Sequence, residues 1–353
     1  MTWSCGIVGL PNAGKSTLFR ALTALDVTIE SYPFSTINPN KAVVPLPDPR
    51  LTALAKVCGS SKVTPATIEI IDVAGLVKGA SKGEGLGNQF LGNLREVDLL
   101  IHVVAGFNAE LVSGSDRVSQ IETVNLELCL SDLESLFRRR QKVEPKVKSG
   151  DKEALLELHL LARLEEHLNQ GKPLRECQFH DEELHIVKQL SLLTNKEMVY
   201  VFNTDENSFL KPDISFFPSG SVVIPMCARL EAELVDLDPD EREPFLVAYG
   251  INENQTSVLL EQCYRKLKLI TFYTVKGDEA RAWIVPESTN ALQAAGKIHT
   301  DMEKGFINVE VIPWDLMCTE GSLVKIREKG LGRVEGKNYQ VHDGDVLFIR
   351  FRV

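Results

Sequence analysis

Apolar residues along this 353-residue chain fall into three patterns, each predicting a different architecture. Over roughly the first third, short apolar runs alternate with loops and helix-length segments, as in a parallel α/β sheet. Residues 5–8, 67–73 and 99–105 read as buried strands, and residues 16–25 as the helix after the first. The same β-rich character returns at 198–202 and 222–226. Between these, Leu126, Leu130, Leu133 and Phe137 recur at spacings of four, three and four, which places them on one helix face. Ala154, Leu158, Leu161 and Leu168 form a similar stripe. Residues 143–151, with Pro145 and Gly150, read as the turn of an antiparallel helical hairpin. Two ordinary surface helices packed on the α/β domain are the plainer alternative. The acidic stretch 236–244 leads into helical sequence to about residue 267. Beyond it, strands at 271–275, 282–285, 306–311 and 346–351, interrupted by a helix at 291–298, predict a small α+β domain.

Composition changes this picture little. Hydrophobic content of 44% and charged content of 25% are those of an ordinary globular protein, and the length allows two or three domains. The net charge of −10 leaves any nucleic-acid contact to a local patch. One candidate is Arg138, Arg139, Arg140 and Lys142, with Lys146 and Lys148, near the hairpin turn. It reads either as a solvated helix face or as an arm presented to RNA phosphates. Seven cysteines without a CxxC pair argue against zinc or thioredoxin chemistry and suit a reducing compartment. No signal peptide is expected, and no apolar run approaches the ~20 residues of a membrane span. The expected location is cytoplasmic, with no membrane or DNA partner. His180 and His185 bracket Asp181, Glu182 and Glu183, which suit a helix N-terminus better than a metal site. Trp3, Trp283 and Trp314 read as packing residues.

The strongest chemical signal is Gly9-Leu-Pro-Asn-Ala-Gly14-Lys15-Ser16, a G-x-x-x-x-G-K-[ST] phosphate loop between a predicted strand and helix. Its glycines let backbone N–H groups converge on phosphate oxygens, and the helix adds its positive end. Lys15 brings a full charge to the β- and γ-phosphates, and Ser16 offers a hydroxyl to Mg²⁺. Asn12, Ala13, Gly14, Lys15, Ser16 and Thr17 are the expected phosphate-side contacts. Asp72, at the end of a buried strand, is expected to hold Mg²⁺, and Gly75 to offer its N–H to the γ-phosphate. Gly79, Gly83, Gly85 and Gly87, with Lys78 and Lys82 between them, suit a loop that senses that phosphate, or a merely flexible one. Thr36 is the candidate for completing the Mg²⁺ shell, with Ser35 competing.

Together, GLPNAGKST, YPFSTINPN, DVAGLVKGASKGEGLGNQFL and RAWIVPESTNALQAAGKIHTDMEKGFINVEV span essentially the whole chain. They resemble the translation-factor-related P-loop GTPases and, more narrowly, the YchF or Obg-like ATPase family. The resemblance implies an Obg/Ras-like nucleotide domain, a coiled-coil hairpin and a C-terminal TGS domain with a β-grasp fold. The expected boundaries are 1–115 and 196–267 for the nucleotide domain, 116–195 for the hairpin and 268–353 for the TGS domain. The resemblance also favours Thr36 over Ser35 and implies association with the ribosome, its large subunit included. In that setting the basic hairpin residues become candidates for ribosomal RNA.

Nucleotide choice has a physical reading. GTPases read guanine with Asn-Lys-x-Asp; here the strand end carries Asn203-Thr204-Asp205-Glu206. The lysine is absent and the fourth carboxylate is longer. Adenine offers no 2-amino group, so a carboxylate there meets a lone pair, whereas Asn203 suits the N6–N7 edge. The family implies ATP, with Thr204 giving backbone contacts and Glu206 marking the variant motif. A one-residue slip that lets Asp205 read guanine is the competing reading and would make a GTPase. Hydrolysis is expected to be slow. Leu76 stands where Ras-like enzymes have the water-orienting glutamine. The family's loop histidine is missing from 107–116, and His102 lies inside a strand. Asn12 is a candidate for holding K⁺ near the phosphates. A nucleotide-gated binding module with negligible turnover is the alternative of a different class.

Overall fold

A computed structural model describes residues 2–23, 40–72, 86–107, 116–206, 208, 210–251 and 254–352. In chain order they form β1 (Trp3–Val8), α1 (Lys15–Thr23), β2 (Lys41–Pro45), α2 (Pro49–Cys58), β3 (Lys62–Thr64) and β4 (Thr67–Asp72). Next come α3 (Leu86–Glu96), β5 (Leu99–Ala105), α4 (Arg117–Lys148), α5 (Lys152–Asn169) and α6 (Asp181–Leu190). They are followed by β6 (Glu197–Asn203), β7 (Val222–Met226), α7 (Ala228–Val235), α8 (Pro239–Ala248) and α9 (Gln255–Lys266). The remainder holds β8 (Leu269–Lys276), β9 (Glu279–Pro286), α10 (Ala291–Ile298), α11 (Thr300–Lys304) and β10 (Phe306–Pro313). It ends with α12 (Trp314–Glu320), α13 (Leu323–Glu328), β11 (Arg333–Glu335) and β12 (Asp345–Phe351).

These elements make two units. Met1–Val43 and Glu69–Cys263 form the first; Val44–Ile68 and Tyr264–Val353 form the second. Residues 44–68, expected within the nucleotide domain, group instead with the C-terminal strands. The cause is pairing at long range. β3 runs parallel to β9, with Lys62 opposite Glu279 and Thr64 opposite Arg281. Thr64 Oγ1 donates to Glu279 Oε1 at 2.6 Å, and Asp48 Oδ2 accepts from Tyr273 Oη at 2.5 Å. A three-residue strand has no periodicity of its own to announce a partner 215 residues away.

In the first unit the strand order is β2-β4-β1-β5-β6-β7, with β1, β5, β6 and β7 parallel neighbours. All seven residues of β5 are buried, as expected for a central strand covered on both faces. Parallel strands deliver their carboxyl ends to one edge, where the loops after β1, β4, β5 and β6 gather.

The helical pair differs from its predicted form in two ways. α4 continues to Lys148 with Pro145 inside it, leaving Ser149–Asp151 as the connection. Pro145 is exposed near the helix end, where a lost hydrogen bond leaves its carbonyl partner to water. Asp151 caps α5 by accepting from the N–H groups of Glu153 (2.9 Å) and Ala154 (3.1 Å). Secondly, the Leu126–Leu130–Leu133–Phe137 stripe is not the buried seam. Leu126 and Phe137 are exposed, while Cys129, Leu136 and Val143 pack with Ala154, Leu161 and Leu164.

The arginines nearby are paired. Arg139 grips Glu157 through two bonds (2.5 and 3.0 Å), Arg140 bridges Glu144 (3.0 Å) and Glu165 (2.8 Å), and Arg138 pairs with Glu134. Two of those glutamates lie on α5, so Arg139 and Arg140 fasten the helices together. The pairing gives the Arg138–Arg140 run a structural role within the hairpin, beside its reading as an arm presented to RNA.

Asp132 anchors α4 at its midpoint. Wholly buried, it accepts from Leu193 N (3.0 Å), Thr194 N (2.8 Å), Thr194 Oγ1 (2.7 Å) and Arg95 Nη1 (3.1 Å). Asp132→Ala leaves those donors unpaired and is expected to cost about 3–5 kcal/mol in urea unfolding. A loss below about 1 kcal/mol contradicts this anchoring role.

The second unit is a six-stranded sheet of order β11-β10-β12-β8-β9-β3. Its core sets Ala291 and Ala294 of α10 against Phe272, Val285, Val309 and Leu347. The predicted strands are all present, each extended by one or more residues, and α11–α13 and β11 are additional.

Candidate nucleotide site

The turn after β1 is shaped by backbone geometry that two glycines permit. Gly9 has φ 152°, and a Cβ there would sit 2.5 Å from the Val103 carbonyl oxygen. Gly14 has φ 96°, and a Cβ there would collide with the Asn203 amide nitrogen. Asn12 sits at φ 63°, completing the tight turn. Lys15 opens α1 and is buried, with Nζ donating to the Leu10 carbonyl at 2.7 Å. Burial pulls its pKa down, opposed by the carboxylate of Asp72. The loop thus holds its ammonium over its own opening, where a phosphate oxygen is the better partner.

Ser16 Oγ donates to Asp72 Oδ2 at 3.2 Å. The other oxygen, Asp72 Oδ1, is buried with no hydrogen-bond partner among the described residues. An unpaired buried carboxylate oxygen beside a hydroxyl is what a hard divalent cation satisfies, so Ser16 and Asp72 fit Mg²⁺. Thr36, Gly75 and Leu76 lie outside the described residues, as do Gly79, Gly83, Gly85, Lys78, Lys82 and most of the 107–116 loop.

At the end of β6 the residues expected at the base have partners within the chain. Asn203 is buried; its Nδ2 donates to the Ala13 carbonyl (3.0 Å) and its Oδ1 accepts from Ala228 N–H (3.0 Å). Both ends of the amide tie the phosphate loop to the start of α7, so Asn203 holds the loop in position. Thr204 is buried, its N–H given to the Met226 carbonyl at 2.9 Å. Asp205 Oδ1 accepts from Ser208 N (3.0 Å) and Oγ (2.7 Å). Glu206 is exposed and within electrostatic reach of Arg229.

Several neighbours were not singled out from sequence. A groove of about 350 Å³ beside Ser16 and Thr17 is lined by Arg20, Arg229, Glu233 and Asp236. Arg20 pairs with Asp236 at 2.6 Å and Arg229 with Glu233 at 2.9 Å. The position of Arg229, at the start of the helix after β7, was the available signal. A cavity of about 500 Å³ lies at Gly106, Phe107, Arg117 and Phe216. There Gln120 pairs with both backbone groups of Ala105 (2.9 and 3.2 Å), and Arg117 donates to the Gly106 carbonyl at 3.1 Å.

His102 is wholly buried on β5 opposite Tyr200, and neither ring nitrogen has a hydrogen-bond partner among the described residues. Burial, then the charges of Arg175 and Lys15, pulls the imidazole down to about 3. Unfolded, it titrates near 6.5. Below that pH the unfolded chain binds the extra proton, so stability falls with pH by about 1.4 kcal/mol per unit until about pH 3. His102→Leu is expected to flatten this slope between about pH 6 and 4 in urea unfolding. An unchanged slope would falsify a neutral, buried imidazole. The pair His180 and His185 flanks a capped helix start: Glu183 Oε2 accepts from His180 N–H (2.9 Å) and from Arg163 Nη2 (2.8 Å).

Comparison with known proteins covers both ends of the chain. The family described as a 50S ribosome-binding GTPase matches residues 4–132, and YchF-GTPase_C, described as a protein of unknown function (DUF933), matches 269–352. The ribosome-binding ATPase YchF of Haemophilus ducreyi is 44% identical over 100% of both chains, and that of Bacillus subtilis is 41% identical over 100% of both. The solved Schizosaccharomyces pombe YchF GTPase aligns with a TM-score of 0.88 at 29% identity, covering 99% of this chain and 98% of that one. Among the described residues, no helix is long and apolar enough to cross a membrane.

Proposed function

The chain belongs to the YchF family, and from that premise we propose that it is a ribosome-associated P-loop ATPase. It binds Mg²⁺–ATP in preference to GTP, hydrolyses it slowly and regulates a translation-linked partner through its nucleotide state. The carrying observation is the carboxylate arrangement after β6. Asp205 is folded onto Ser208 and the fourth position is the longer, exposed Glu206. Guanine's N1–H and 2-amino group thereby lack the short carboxylate that selects them, whereas adenine needs none.

In this reading Lys15 and the backbone amides of Asn12–Thr17 hold the triphosphate in line, and Asn203 keeps the loop in that shape. Ser16 and Asp72, with Thr36, would hold Mg²⁺, which when bound would neutralise charge on the phosphate oxygens. Gly75 offers an amide to the γ-phosphate. Nothing equivalent to a glutamine is supplied at Leu76, and His102 is sealed inside β5, so attacking water is weakly oriented.

Single-turnover hydrolysis of ATP, with and without purified ribosomes, tests the proposal. Slow intrinsic cleavage that ribosomes accelerate is expected. Leu76 and the missing loop histidine also favour a second reading, a nucleotide-gated binding module, and cleavage that ribosomes leave unchanged would decide for it.

A further inference from the structure

A nucleoside triphosphate spans more than its terminal phosphates. In the reading above, Lys15 and Ser16 take the β- and γ-phosphate end, and residues 203–206 flank the base. Between them run the α-phosphate, which carries a charge, and the ribose. The groove of about 350 Å³ lies between Ser16 and Thr17 of α1 and Arg229 and Glu233 of α7. Its walls are tied at both ends. Asn203 joins the Ala13 carbonyl of the phosphate loop to the N–H of Ala228, the residue before Arg229. At the other end, Arg20 of α1 reaches Asp236, just past α7, at 2.6 Å. The backbone of Arg229 is therefore set beside the phosphate loop.

The side chain of Arg229 is 77% exposed, and two acids share its charge. Glu233, one turn along α7, accepts from its Nε at 2.9 Å. Glu206, three residues past Asn203, lies within electrostatic reach. An i,i+4 pair with both ends in water contributes little, because solvent screens it and two long side chains must be ordered. A phosphate offers two oxygens to the planar guanidinium fork and forms shorter, stronger, charge-assisted bonds. Arg229 thus rests on a partner that a phosphate readily displaces. Arg20 does a different job, since its bond to Asp236 fastens α1 to α7.

We infer that Arg229 is a nucleotide-binding residue whose guanidinium leaves Glu233 and meets the α-phosphate when a nucleotide binds. Position and charge select that group. Arg229 shares its groove with Thr17 and follows the residue bonded to Asn203, so it stands between the phosphate loop and the base-side segment. The α-phosphate is the anion of that span. Adenine and guanine nucleotides both carry it, so Arg229 adds affinity and leaves base choice to residues 203–206. The inference rests on the P-loop nucleotide reading above.

Calorimetric titration of the full chain with Mg²⁺–ATP and Mg²⁺–ADP tests it. R229A is expected to bind both about 10-fold more weakly, by one common factor, because both carry the α-phosphate. R229K keeps the charge and is expected to return to within about threefold of wild type. E233Q removes the competing carboxylate and is expected to tighten ATP binding about twofold, a gain that disappears in R229A/E233Q. R20A, which loses only the tie between helices, is expected to stay within about twofold. A fold merely loosened by losing Arg229 predicts neither the gain in E233Q nor the rescue by lysine. R229A that binds ATP like wild type overturns the assignment. A loss confined to ATP moves Arg229 to the γ-phosphate, and a changed ratio of ATP to GTP affinity moves it to the base; either result overturns it too. Wild type that prefers GTP sinks the ATP reading alone, and Arg229 stands if R229A then loses GTP and GDP affinity together.

Discussion

Lys15→Ala is expected to lower affinity for Mg²⁺–ATP by on the order of 10²-fold or more and to leave no measurable turnover. The ammonium is buried at the mouth of the phosphate loop, where it donates to the Leu10 carbonyl and feels the carboxylate of Asp72. A triphosphate brings several negative charges into that space, and Lys15 is the full positive charge the loop itself contributes. Removing it leaves only amide dipoles. Calorimetric titration with ATP measures the loss, and an unchanged melting temperature separates it from unfolding. A decrease under about tenfold contradicts the placement of Lys15 at the phosphates.

Asn203→Ala carries the second large effect, for a different reason. Its amide satisfies a carbonyl of the phosphate loop and an N–H at the head of α7, both buried. Each group left unpaired costs about 1–3 kcal/mol, so urea unfolding should register several kcal/mol. The loosened loop is expected to bind both nucleotides about 10–100-fold more weakly. Because the side chain holds the loop, the ratio of ATP to GTP affinity is expected to remain within about twofold of wild type. A variant whose ATP preference collapses while its stability holds would return Asn203 to the base.

This contrast shows what the sequence could disclose. The phosphate loop was legible because its chemistry needs glycines, lysine and serine at contiguous, fixed spacing. The pairing of Ser16 with Asp72 followed from the same logic, a hydroxyl after the lysine and an acid at a strand end. Asn203 was placed at the correct strand end, but its partners within the chain, Ala13 and Ala228, were not foreseen, since they lie 190 and 25 residues away. Nothing in a local motif distinguishes an amide facing a base from one facing backbone.

The helical pair was legible as a pair and misread in its seam. α4 is 32 residues long and buries different faces along its length. Ile121, Val124 and Leu128 are buried in its first half, and Leu136 and Val143 face α5 in its second. A single stripe cannot describe a helix that changes neighbours, so Leu126 and Phe137 passed for core while standing exposed. The pairing of the arginine run was hidden for a related reason. Charge counted along the chain takes in Glu144 but omits Glu157 and Glu165, which come from α5. Residues 44–68 were hidden by distance, since the strand that binds them comes after residue 278.

The account turns on a magnesium-dependent site that prefers a purine with an exocyclic amine. Calorimetric titration of the nucleotide-free chain with ATP and with GTP, each with Mg²⁺ and with a chelator, tests this most directly. ATP is predicted to bind at least ~10-fold more tightly than GTP and to lose most of that affinity without Mg²⁺. Equal or tighter binding of GTP, or ATP binding indifferent to the metal, would contradict it.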